Sequence, residues 1–130
     1  MDIFFSDPSD IPLPPAEVRI RQIEVHPWSD GRRVRVYLEV TPFQKRPNGE
    51  INITNANGDE LASISIIETM DPKMEFVLHL RGAELLGPFL ASATIFYVDE
   101  SSASAENDDK SFEQRRRFVV DQAYTSFSLD

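Results

Sequence analysis

The chain has 130 residues, 41% hydrophobic and 27% charged, with no cysteine and a net charge of −9. That length fits one domain able to bury a core without disulfides or metal. The missing cysteine excludes a disulfide framework, a thiolate zinc site and a thiol nucleophile, and the excess of acid opposes nucleic acid and anionic membranes.

Residues 1–10, MDIFFSDPSD, carry acid where a secretory leader carries base, and their apolar run is three residues long. They predict no leader peptide, and with the missing cysteine they point to a cytoplasmic setting. No run approaches the ~18 apolar residues of a membrane span. Residues 6–16 hold four prolines, which fix φ and remove amide donors, so residues 1–16 read as an extended arm.

The first strand is expected over 17–25, from Val18, Ile20, Ile23 and Val25. Its alternation slips between Ile20 and Ile23, as a bulge would make it do. After a turn at Pro27–Gly31, Val34, Val36, Leu38 and Val40 alternate with Arg33, Arg35, Tyr37 and Glu39, the clearest period of two in the chain. Further strands are expected over 50–54, 60–68, 74–81, 88–98 and 112–120. Asn57-Gly58 separates the third from the fourth, and Asp71-Pro72 the fourth from the fifth. Residues 83–86 suit one helical turn, too short to stand by itself. Residues 90–98 form the most apolar segment, which predicts a central strand buried on both faces. Residues 99–111 are acidic, serine-rich and without large apolar side chains, the composition of a surface loop. Residues 122–130 are left as a short C-terminal tail.

Seven short strands with frequent turns predict an all-β, antiparallel sandwich over 17–121, with an OB-like barrel as the alternative. Strand lengths and turn spacing over these residues resemble an immunoglobulin-like or fibronectin type III-like domain. Gly87-Pro88-Phe89 stands where such domains often open a strand with Gly-x-Tyr, and Trp28 lies in a turn rather than between paired cysteines. The resemblance therefore implies a fold, and by analogy a binding or spacer role.

Catalytic and cofactor chemistry finds no foothold. Nucleophilic catalysis needs a base beside the nucleophile. Of the two histidines, His26 sits in a turn and His79 on an outward strand face. Gly82 and Gly87 have the outer spacing of a phosphate loop, but Pro88-Phe89 follows in place of Lys-Ser/Thr. No cofactor is expected. Calcium is the metal candidate: Asp99, Asp108 and Asp109 would have to meet Asp30 or Asp71 at one end of the sandwich.

Arg115, Arg116 and Arg117 form the densest basic cluster, with Arg115 and Arg117 sharing one strand face. The apolar residues of the two arms, Phe4 and Phe5 at one end and Tyr124 and Phe127 at the other, are costly to expose. Together with Arg115 and Arg117 they are the candidate interaction residues. The expectation is a non-catalytic interaction or structural module, monomer or homodimer, whose partner is another protein or a second copy. Calcium or a small ligand held by loops is the alternative.

Overall fold

Period-two alternation hides one set of side chains and leaves the other wet only if two sheets stack. The computed structural model, which describes residues 11–82, 88–98 and 117–129, shows this arrangement. Its strands are β1 (Ile20–Pro27), β2 (Arg33–Val40), β3 (Asn48–Thr54), β4 (Glu60–Ile66), β5 (Lys73–His79), β6 (Phe89–Val98) and β7 (Arg117–Phe127). They form two antiparallel sheets, β1-β2-β5 and β4-β3-β6-β7. Two separate sheets with edges replace the single closed barrel of the alternative reading. β4 pairs with β3 rather than with β5, so the chain changes sheets between its fourth and fifth strands.

The core lies between the inner faces. Val34, Val36, Leu38 and Val40 of β2 are fully buried, as are Ile51 and Ile53 of β3 and Ala91 and Ala93 of β6. Burying each large aliphatic chain contributes about 1.5–3 kcal/mol. Gly49 belongs to this packing, because a Cβ there would stand 3.2 Å from the Cδ1 atoms of both Ile66 and Ile95.

The bulge in β1 falls where the alternation slips: Ile20 faces Val40 and Gln22 faces Glu39, leaving Arg21 over. The strand starts later than expected because Pro15–Glu17 form a 3-10 turn. The described end of the arm, from Ile11 to Pro14, packs on its own domain. Leu13 donates its N–H to the Pro42 carbonyl at 3.0 Å and accepts from Gln44 N–H at 2.9 Å.

β6 is central in its sheet, but double-sided burial is confined to Ile95, Phe96 and Tyr97; Leu90 on the outer face is exposed. β7 departs most from expectation. It runs on to Phe127, so most of the expected tail is strand. The expected helical turn at 83–86, the acidic loop and residues 112–116 lie outside the described residues.

A bulge at Val120 splits β7, since Ile95 faces Asp121 and Phe96 faces Val119. Asp121 turns inward there, and its Oδ2 accepts the Ile20 N–H at 2.8 Å, tying the two sheets together beside β1. The expected effect of Asp121→Ala is a loss of about 1.5–3 kcal/mol, the worth of a hydrogen bond to a charged group. Gly49→Val should cost about 2 kcal/mol by overpacking. Urea unfolding of each variant measures both, with an unchanged midpoint counting against the corresponding contact.

Candidate interaction surface

The two outer faces of the sandwich differ in chemistry. Cross-strand partners share a face, so the register assigns each residue. On the three-stranded sheet the outer set is Gln22, Glu24 and His26 of β1, Arg33, Arg35, Tyr37 and Glu39 of β2, and Lys73, Glu75, Val77 and His79 of β5. These residues are largely engaged with one another. Arg35 Nε lies 3.6 Å from Glu75 Oε2, Arg21 Nη1 3.5 Å from Glu39 Oε2, and His26 Nε2 2.9 Å from Glu24 Oε1. Tyr37 Oη donates to Glu39 Oε1 at 3.0 Å; loss of hydration, then that carboxylate, pushes the phenol's pKa upward. Surface pairs of this kind contribute about 0–1 kcal/mol each and keep the face solvated.

Among the described residues, the middle of the outer face of the four-stranded sheet carries no charge. It presents Asn52 and Thr54 of β3, Ser63 and Ser65 of β4, Leu90, Ser92 and Thr94 of β6, and Val119, Gln122, Tyr124 and Ser126 of β7. Hydroxyl and amide side chains are short, so the surface between the strands is flat. Leu90, Val119 and Tyr124 are exposed on it at 40%, 53% and 59%. Its charges among the described residues lie at the ends: Glu60, which faces Thr54, pairs with Arg81 at 3.9 Å, while Arg117 Nη1 reaches Glu50 Oε1 at 3.3 Å and the Arg117 guanidinium lies 4.2 Å over the Phe96 ring. Arg117 therefore lays its planar cation on the face of an aromatic ring.

The candidate residues separate accordingly. Tyr124 stands on the neutral face. Arg117 closes its end. Phe127 belongs to the core edge, its ring stacked on Phe89 with centroids 5.4 Å apart. Phe4, Phe5, Arg115, Asp99, Asp108 and Asp109 lie outside the described residues. Asp30 and Asp71, the partners considered for calcium, stand at opposite ends of the three-stranded sheet, beside Arg33 and beside Val40. Each caps its own turn. Among the described residues no three His, Asp or Glu side chains gather as a metal would need, and no helix is long and apolar enough to cross a membrane.

Two open cavities of about 400 Å³ flank the sandwich. One lies between Ala62, Ser63 and Ile64 of β4 and Val77, Leu78, His79 and Arg81 on the opposite sheet. The other lies between Pro15, Ala16, Lys45, Tyr97, Phe118 and Val120. In the second, Tyr97 Oη donates to the Lys45 carbonyl at 2.8 Å, and burial pushes its phenol pKa up.

The neutral face had a signal in the sequence. Polar partners at Asn52/Thr54, Ser63/Ser65, Ser92/Thr94 and Gln122/Tyr124/Ser126 are uncharged, whereas those of β2 and β5 are charged. Only the pairing order shows that the uncharged sets lie side by side.

No protein-family model matches the chain, and no curated protein matches it. Among solved structures it is similar to the β-glucuronidase from Bifidobacterium dentium complexed with coumarin-3-O-glucuronide, at 15% identity and TM-score 0.54, covering 88% of this chain and 18% of that one. It is also similar to the FMN-binding β-glucuronidase from Facaelibacterium prausnitzii L2-6, at 15% identity and TM-score 0.50, covering 85% and 16%. The likeness is one of fold, and the chain spans less than a fifth of the length of either protein.

The β1–β2 turn makes a pH prediction. Asp30 accepts N–H bonds from Arg32 and Arg33 at 3.0 and 3.1 Å and from Arg33 Nε at 2.7 Å. The Arg32 amide first, then the Arg33 side chain, lower its pKa from 3.8 to about 2. A lowered folded-state pKa stabilises above the unfolded value, and that contribution is lost as pH falls toward about 2. An NMR titration should place the Asp30 midpoint near that value, and Asp30→Asn should abolish the corresponding acid-sensitive part of stability. A midpoint at the ordinary carboxylate value would contradict the bonding.

Proposed function

We propose that this chain is a non-catalytic protein-interaction module of the immunoglobulin-like or fibronectin type III-like kind, and that it docks through the outer face of the β4-β3-β6-β7 sheet. The contrast between the two outer faces carries the reading. In a chain of net charge −9, one sheet shows solvent a network of ion pairs. Among the described residues the other shows hydroxyls, amides and three exposed apolar side chains, with the Arg117–Glu50 pair at one end and Glu60, paired with Arg81, at the other. Protein interfaces are depleted of charge at their centres and enriched in tyrosine, and Tyr124 stands in this patch.

The solved structures lend support of a limited kind. A sandwich of this shape occurs inside proteins several times longer, which suits a domain that packs against others. Their glucuronidase activity is not carried over to this chain: fold alone does not transmit chemistry, and no hydrogen bond joins Ser63 to His79, the serine and histidine that line one cavity.

A photo-crosslinking amino acid placed at Tyr124, and separately at Val77 on the charged sheet, tests the proposal in cells. The expected outcome is a discrete protein adduct from position 124 and at least tenfold less from position 77, with Ser92→Arg suppressing the first. Equal labelling from both faces, or none from position 124, would overturn it.

A further inference from the structure

Four strands end a sheet in this fold, and three of those edges are protected against pairing with another chain. β1 carries a bulge at Arg21, charged or polar outer residues and Pro27. β7 carries its own bulge at Val120 and has β1 alongside it, joined through Asp121 Oδ2 to Ile20 N–H and Arg19 Nη1 to the Val120 carbonyl. β5 alternates Lys73, Glu75 and His79 on its outer face. Bulges, charges and proline are the usual means of discouraging edge pairing.

β4 has such protection only at its start, where Glu60 pairs with Arg81 and Leu61 forms a bulge. From Leu61 to Ile67 there is no charge, no proline and no glycine, the composition that favours intermolecular strand pairing. The Asn55 N–H to Asp59 carbonyl bond closes the β3–β4 hairpin, and the bulge at Leu61, with Thr54 facing Glu60 and Ile53 facing Ala62, shifts the alternation so that the backbone groups of Ala62, Ile64 and Ile66 turn toward β3. Those of Ser63 and Ser65 point the other way, where no strand lies among the described residues. β5 approaches near Leu61, whose carbonyl accepts the Arg81 N–H at 3.0 Å, and further on the open groove of about 400 Å³ lies between them. At the far end, Asn48 Oδ1 accepts the N–H of Glu68, which holds a left-handed φ of 47° and ends the strand. Ile67 and Met70, on either side of that bend, are 62% and 76% exposed.

We propose that two copies of this chain associate by antiparallel pairing of their β4 edges about a two-fold axis at Ser65. The strand is complementary to itself in that register. Ser65 faces its counterpart, with both outward backbone groups exchanged. Ile64 faces Ile66 of the second copy on the inner side, in the closer, non-hydrogen-bonded pairs, and Ser63 faces Ile67 on the outer side. Charge agrees, since the contact brings together the uncharged stretch from Leu61 to Ile67 of two molecules that each carry a net charge of −9.

A second copy at the β4 edge also enlarges the neutral face on which the proposed function rests. Four strands of about seven residues offer a neutral face of roughly 19 Å by 24 Å, on the order of 450 Å². That is little more than half the ~800 Å² per partner of a standard interface. Edge pairing joins two such faces into one continuous eight-stranded surface of about 900 Å².

The test uses the full chain, light scattering for mass, and a cross-link for geometry. Wild type should pass from 14.8 kDa toward twice that mass as concentration rises from micromolar to millimolar. Ser65→Lys, which leaves the exposed side of β4 unobstructed in the monomer but sets two ammonium groups on the axis, should stay monomeric with an unchanged circular dichroism spectrum. Because the chain has no cysteine, Ser65→Cys should form a disulfide dimer under mild oxidation at least tenfold faster than Ser29→Cys. A monomer at every concentration, with equal cross-linking of both variants, would overturn the inference. So would a dimer that survives Ser65→Lys but dissociates in Tyr124→Glu, an outcome that leaves the docking-face reading standing.

Discussion

The inner face of β2 must cover the inner faces of β3 and β6, and the rest of the molecule follows from that burial. Val34, Val36, Leu38 and Val40 are fully enclosed, as are Ile51, Ile53, Ala91 and Ala93 opposite. Because side chains alternate along a strand, enclosing one set dictates which residues stand outside. A one-residue slip in β2 would send Arg33, Arg35 and Glu39 inward, at a cost of several kcal/mol for each buried ion. The outer faces, and any surface used for recognition, are thus set by the core.

The two bulges act within this frame as adjustments. In β1 the extra Arg21 lets Ile20 meet Val40 while Gln22 meets Glu39. In β7 the extra Val120 turns Asp121 inward to the Ile20 N–H and turns Arg117 outward over Phe96. The edges of β1 and β7 are thereby brought together. On the other flank, β4 belongs to the sheet of β3, so β4 and β5 diverge past Leu61 and leave a groove. One flank is joined and the other open because of where β4 pairs. The uncharged stretch of β4 from Leu61 onward then places a self-complementary edge at the open flank.

Much of the fold was legible because it rests on local periodicity. The alternation in β2, the slip in β1 and the Asn57-Gly58 turn each report a backbone state that neighbouring residues determine. β7 was harder to read. Its inward residues beyond the bulge, Ala123 and Thr125, are small because they face Ala91 and Ala93 across the pair, and small side chains leave no apolar alternation to find. Phe127 looked like a tail residue for the same reason, although it stacks on Phe89. The candidate surface was legible in Tyr124 and Arg117. Its extent was not, since Ser63, Ser92 and Tyr124 are far apart in the chain.

By itself, the sequence determined the strand-rich class, the two faces of each strand, the turns, and a chain without thiol chemistry. These are properties of single segments, controlled by steric alternation and by the conformational limits of glycine and proline. Tertiary structure decided which sheet β4 joins, how far β7 runs, which edges are joined, and that the uncharged outer sets form one surface. Those depend on pairings between residues tens of positions apart, and many partners could satisfy a strand's hydrogen bonds equally well. Only the combined packing of all the inner faces selects among them.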